Sequence, residues 1–148
     1  MSVRVTTDSF DPGAETNAFL ASGNGAGAVV TFTGIVRSKP DDPILSLTLE
    51  CYPELAINQL TAIVEQAKTR FGLLAAVVIH RHGTLGPGEP IVQVMTLSPH
   101  RDAAFKGAEF LMDYLKTDAP FWKQETDARG THWVEARESD DAAKARWE

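Results

Sequence analysis

Apolar positions recur along this chain with two spacings, and the switches between them mark out the elements. Val3 and Val5 alternate with polar neighbours and predict a short first strand. Asp11-Pro12-Gly13 reads as a turn, Glu15 to Ala21 as a brief helix, and Gly23-Asn24-Gly25 as its end. Residues 27–37, GAVVTFTGIVR, form a nearly continuous run of β-formers, which predicts a buried strand; Gly34 within it marks a bulge or a close backbone approach. Ser38 to Pro43 is polar and bounded by prolines, and is predicted to be a flexible loop. Leu45, Leu47, Leu49 and Cys51 alternate with Ser46, Thr48 and Glu50, the pattern of a half-buried strand. Pro53 then opens a helix that turns Leu60, Ile63, Val64, Ala67 and Phe71 inward and stops at Gly72. Two more strands, Ala75 to His82 and Ile91 to Leu97, flank the glycine- and proline-rich stretch from Gly83 to Pro90, which predicts a hairpin.

The next segment is the one around which the chemistry collects. Ser98 can cap a helix and Pro99 suits its first position, so a helix is expected over Pro99 to Thr117, with Phe105, Ala108, Met112 and Leu115 on its inner face. Pro120 forbids its continuation. Two short strands, Phe121 to Thr126 and Trp133 to Ala136, are expected around the Asp127 to Gly130 turn, and the charged tail ESDDAAKARWE is weakly helical. Strand pairs mixed with two substantial helices favour an α+β fold over a regular parallel sheet.

Composition narrows the picture. A chain of 148 residues with 43% apolar and 23% charged residues fits one domain with a true core, ending in a charged tail at about residues 139–148. The net charge of −6 disfavours a broad nucleic-acid-binding face but allows a local cationic pocket. With Cys51 as its one cysteine, the chain can form neither an internal disulfide nor a thiolate zinc site, and a reducing cytoplasm is the expected setting. The first residues, MSVRVTTDSFDPG, hold no apolar run of signal-peptide length, and no stretch reaches the roughly 20 apolar residues that span a bilayer.

The candidate chemistry rests on cations. His100 and Arg101 fall in the first turn of the predicted helix, where unpaired N–H groups and the helix dipole favour an anion. Lys116 closes that helix, where its ordinary reading is a solvated charge complementing the dipole. Lys123 follows the aromatic pair Phe121-Trp122; desolvation and a second cation nearby would lower its pKa and suit it to proton transfer or attack on a carbonyl. Arg37 ends the strand after Gly34 and, if that end meets the helix start, joins Arg101 and His100 in a phosphate or carboxylate clamp. Cys51 shares a face with Leu47 and Leu49 and reads as an inert core thiol rather than a nucleophile. His80 and His82 share a strand face, but no third ligand stands near them in the sequence, so two ordinary strand histidines are expected. Glu50 and Glu54 make no convincing acid–base pair.

AVVTFTGIVR, LECYP, VIHRHGTLGPGE, SPHRDAAFKGAEFLMDYLKTDAPFWKQE and WVEARESD, in that order over roughly residues 27–140, resemble the catalytic (large) subunit of molybdopterin synthase. The resemblance implies an α/β-hammerhead-like domain with an additional antiparallel β portion. It implies a sulfurtransferase that converts cyclic pyranopterin monophosphate to molybdopterin by installing a dithiolene. The sulfur would come from a thiocarboxylate on the C-terminal Gly-Gly of a small ubiquitin-like subunit, so no cofactor, metal or catalytic cysteine is expected. It further implies a homodimer within a heterotetramer. The family's catalytic lysines fall on Lys116 and Lys123, and its substrate contacts on Ile35, Val36, Arg37, His100, Arg101, Gln124 and Glu125. The position of Ile35 can be basic in relatives, so a contact there would here be backbone or apolar. Two other readings stay open on the residues alone. One is a non-catalytic module that binds a ubiquitin-like tail or a phosphorylated metabolite; the other is an acyl-thioester hydrolase using Cys51. Arg137 and the acidic tail have no assigned place.

Overall fold

The β-rich runs and the two amphipathic stretches fold as their periodicities require. A computed structural model describes residues 2–23, 25–118, 120–134 and 138–148. The elements in order are β1 (Val3–Thr6), α1 (Pro12–Ala21), β2 (Ala28–Ile35), β3 (Ser46–Cys51), α2 (Pro53–Phe71), β4 (Ala75–Arg81), β5 (Gly83–Leu85), β6 (Pro90–Ser98), α3 (Arg101–Thr117), β7 (Phe121–Asp127), β8 (Gly130–Val134) and α4 (Glu138–Ala145). Among the described residues the strands form two four-stranded sheets, ordered β1-β4-β6-β2 and β5-β3-β7-β8. Only β1 and β4 pair in parallel; the other pairs are antiparallel. Mixed strand direction with helices on the sheet faces is the α+β class expected from the order of elements.

Alternation along β4 and β6 divides the core in two. Val78, Val92 and Val94 face α2 and α3, where they meet Leu60, Val64, Ala67, Ala108 and Leu111. Leu60 and Leu111 are sealed from solvent, and each contributes about 2 kcal/mol of apolar burial. The opposite face sets Ile79, Met95 and Leu97 against Phe19 of α1. The second sheet contributes Leu47, Leu49 and Leu85 to a smaller cluster with Val36.

Several expectations need correction. β2 is an edge strand rather than a buried one, so Phe32 (42%) and Ile35 (56%) keep large exposed areas. The register slips between Gly34 and Ile35, where the sequence suggested a bulge. β4 and β6 do pair antiparallel, but the chain between them is no simple hairpin. Gly83 takes a φ of 94°, open to glycine without a Cβ penalty, and its strand β5 leaves for the second sheet to pair with β3.

α3 also begins later than predicted. Ser98 remains in β6, its hydroxyl donating to the His100 carbonyl, and His100 is the N-cap residue with no side-chain capping bond. The buried stripe of α3 is Ala104, Gly107, Ala108, Phe110 and Leu111, while Phe105 is 61% exposed rather than inward. Small residues let this helix lie close: a Cβ on Gly107 would come within 2.8 Å of the Leu73 side chain. The charged tail forms α4 and is tied back onto α3. Trp147 packs edge-on to Phe71 and Phe110 and donates its indole N–H to Asp113, and Arg146 bonds both Glu109 and Asp113. The strand predicted over Trp133 to Ala136 appears as β8; residues 135 and 136, like Arg137, lie outside the described residues.

Candidate functional site

A cavity of about 480 Å³ opens where the end of β2, the C-terminal turn of α3 and the inner face of β7 converge. That volume is in the range of small-molecule sites. Alternation along β7 decides who enters it. Phe121, Lys123 and Glu125 share the face on which they pair with Cys51, Leu49 and Leu47, and all three border the cavity. Gln124 pairs with Thr48 and Trp133 on the opposite face and does not border it. The expected contact at Gln124 is therefore not made in this cavity, because one residue along a strand reverses the side-chain direction.

Lys116 reaches the cavity from the last turn of α3, past Met112 and Leu115, which form its apolar wall. From the other side come Ile35, Val36 and Arg37. Val36 is 3% exposed and fixed through its backbone: its N–H donates to the Glu89 carbonyl at 2.9 Å and its carbonyl accepts from Gly88 at 2.8 Å. This anchoring delivers the exposed Arg37 to the rim. Lys39 and Asp140 also border the space and were not among the expected contacts.

The electrostatics follow from this gathering. Burial, reinforced by the Lys116 charge, pushes the Lys123 ammonium below its ordinary pKa of 10.5, with Asp140 and Glu125 opposing. The arrangement thus provides an anion-attracting rim and a lysine shifted toward the range useful for proton transfer. His80 forms part of the floor. Its ring stacks on Phe121 at 3.8 Å and 12°, and its Nδ1 is 2.8 Å from the Arg81 carbonyl. Burial, with smaller contributions from the Lys123, Lys116 and His82 charges, lowers its pKa from 6.5 to about 4 against the Arg81 hydrogen bond, which raises it.

His100 and Arg101 do not belong to this cavity within one chain. They are exposed at the opposite end of α3, and Arg101 precedes Lys116 by fifteen residues, roughly 22 Å of helix. The clamp of Arg37 with His100 and Arg101 is therefore not formed inside a single protomer. Cys51 stands outside the cavity, beside an open aromatic hollow with Tyr52 and Trp122, and burial raises its thiol pKa. That is the environment of an inert thiol, not of an activated nucleophile. His80 was visible in the sequence only as a strand histidine on the same face as Val78; its partner Phe121 is supplied by the other sheet.

Fold and cavity together define an α+β protein that gathers two lysines and an arginine around one cavity. The MoaE protein family matches residues 5–118, and the chain belongs to that family. It is 50% identical over 147 residues to the molybdopterin synthase catalytic subunit of Cereibacter sphaeroides, covering 99% of this chain and 100% of the relative. The molybdopterin biosynthesis MoaE protein from Burkholderia ambifaria superposes with a TM-score of 0.83 at 44% identity, over 99% of this chain and 97% of the other. A complex of subunits 1 and 2 of molybdopterin-converting factor from Helicobacter pylori shares the fold, with a TM-score of 0.76 at 21% identity over 93% and 92% of the two chains.

Proposed function

We propose that this cavity is where cyclic pyranopterin monophosphate is converted to molybdopterin. Each of the two sulfurs would be delivered by one C-terminal thiocarboxylate of a small ubiquitin-like subunit, whose tail is released as the carboxylate. The observation that carries this reading is the convergence of Lys116, Lys123 and Arg37 on one cavity, with Lys123 driven toward its neutral form. Arg37 at the rim suits the cyclic phosphate. Lys116, exposed and at the helix end, suits stabilisation of the negative charge that develops as sulfur attacks. Lys123, half-buried, suits transfer of the proton that the leaving oxygen requires. Ile35 and Val36 provide an apolar edge, and Glu125 an acceptor. The sulfur arrives on the partner, so the chain needs no nucleophilic thiol of its own. His100 and Arg101 contribute to the same chemistry only if a second copy of the chain brings them to this cavity, as the homodimer implied by the resemblance would allow.

The test uses the chain, its thiocarboxylated partner and the pterin substrate. Lys116→Ala and Lys123→Ala are each expected to lower the rate of dithiolene formation by about 100-fold or more while circular dichroism stays unchanged. Wild-type rates in both variants would refute the assignment. Partner binding without any product from the wild-type chain would leave only a binding module.

A further inference from the structure

Of the polar side chains on the cavity lining that the proposed chemistry leaves unused, His80 is the buried one. His80 is 6% exposed and sits on the α2–α3 face of β4, pressed against Phe121 of the other sheet. A carbonyl oxygen can only accept, so the 2.8 Å contact to the Arg81 carbonyl places the ring proton on Nδ1. Nε2 then carries a lone pair. Among the described residues Nε2 has no hydrogen-bond partner, yet the sealed and unpartnered side-chain atoms are Arg81 Nε and Gln93 Oε1. The lone pair of Nε2 therefore meets open space, and the space His80 borders is the cavity.

The groups facing it are Lys116 from α3, Lys123 and Glu125 from β7, Arg37 and Lys39 from the chain after β2, and Asp140 from α4; His82 adds a weaker like-charge influence. Arg37, Lys39 and Lys116 are cations that only donate, Lys123 is committed to proton transfer in the function proposed above, and Glu125 and Asp140 are carboxylates that charge the site when they accept. His80 offers the buried neutral acceptor, since the half-buried Thr117 hydroxyl, the other neutral polar side chain on the lining, is turned as a donor to the Asp113 carbonyl, and the aromatic stack gives the imidazole a flat, rigid surround. We propose that His80 is a specificity-determining substrate contact: Nε2 accepts a hydrogen bond from a ring or amino N–H of a flat heterocycle whose anionic end is held by Arg37 and the lysines. The inference rests on the function proposed above and adds the group that distinguishes the heterocycle from other phosphate esters. Its physical basis is that a buried acceptor left unpaired penalises any ligand lacking the matching donor. The imidazole stays neutral across the physiological range because burial and the two ammonium groups oppose its protonation.

The test separates the heterocycle from the anion. Binding of a fluorescent oxidised pterin carrying a phosphomonoester, and of inorganic phosphate, is measured for the wild type, His80→Phe and His80→Gln. Phe keeps the stack on Phe121 without an acceptor, and Gln restores a neutral acceptor oxygen. His80→Phe is expected to weaken the pterin at least tenfold, leave phosphate within about twofold, and raise KM for the substrate more than it lowers kcat. His80→Gln is expected to hold the pterin within about threefold of wild type. Wild-type pterin affinity in His80→Phe, equal losses in both variants, or a parallel loss of phosphate affinity would each overturn the proposal. Circular dichroism verifies folding, and His80→Leu replaces His80→Phe should the latter not fold. A wild-type chain that neither binds the pterin nor turns over substrate refutes the function itself; a wild type that does both, with an indifferent His80→Phe, refutes only the role of His80.

Discussion

Lowering the pH from 7 to 5 protonates His80 in the unfolded chain and leaves it neutral in the folded one. The unfolded imidazole titrates near 6.5, and the folded one near 4, because the ring is buried against Phe121 and faces two ammonium groups. The folded pKa lies below the unfolded one, so between the two values the unfolded state holds the extra proton and stability falls as pH falls. Across the full interval the loss approaches about 3 kcal/mol, at about 1.4 kcal/mol per pH unit. Between pH 7 and 5, where most carboxylates stay ionised, the share from His80 is about 2 kcal/mol. The measurement is urea unfolding of wild type and His80→Phe at one fixed protein concentration, followed by tryptophan fluorescence at pH 7, 6 and 5. The other three histidines are common to both proteins and cancel. The variant should lose about 2 kcal/mol less than wild type over that range. Parallel losses would show that the folded imidazole protonates as easily as the unfolded one, and would refute the account of its burial.

Two further outcomes follow from the same site. Burial and Lys116 hold the Lys123 pKa below its unfolded value, so its ammonium is a cost to folding at pH 7, relieved as the pH rises toward 10.5. Lys123→Met should therefore raise the thermal midpoint at pH 7 while abolishing product formation, and a lowered midpoint would contradict this electrostatic reading. Cys51→Ser should leave the rate of dithiolene formation within about twofold, since burial raises the thiol pKa and the side chain stands outside the cavity; loss of activity would revive the acyl-thioester hydrolase.

Local pattern was enough for much of this molecule. A period-two run located β3, the strands read on either side of the glycine- and proline-rich stretch located β4 and β6, the 3.6-residue period with Pro53 and Gly72 bounded α2, and the order of elements gave the α+β class. The motifs in the segment around α3 and β7 carried the family, and with it Lys116, Lys123 and Arg37 as candidates that do share a cavity. These are readable because they depend on residues a few positions apart, whose side-chain directions the helix or strand period fixes.

What the tertiary structure alone decided is every relation between distant stretches. A run of β-formers looks the same in the middle of a sheet as at its edge, so the exposure of Phe32 and Ile35 waited on the strand order. Gln124 and Lys123 are adjacent in the chain but point to opposite faces, and only the pairing of β7 with β3 shows which face is the cavity. His100 caps and Arg101 opens the helix that ends near Lys116, yet the length of that helix carries them away from it. His80 became a functional candidate only when Phe121, from another sheet, covered its ring and two lysines came to face it. Burial, desolvation and the meeting of charges are sums over neighbours in space, and the chain brings those neighbours from far along its length.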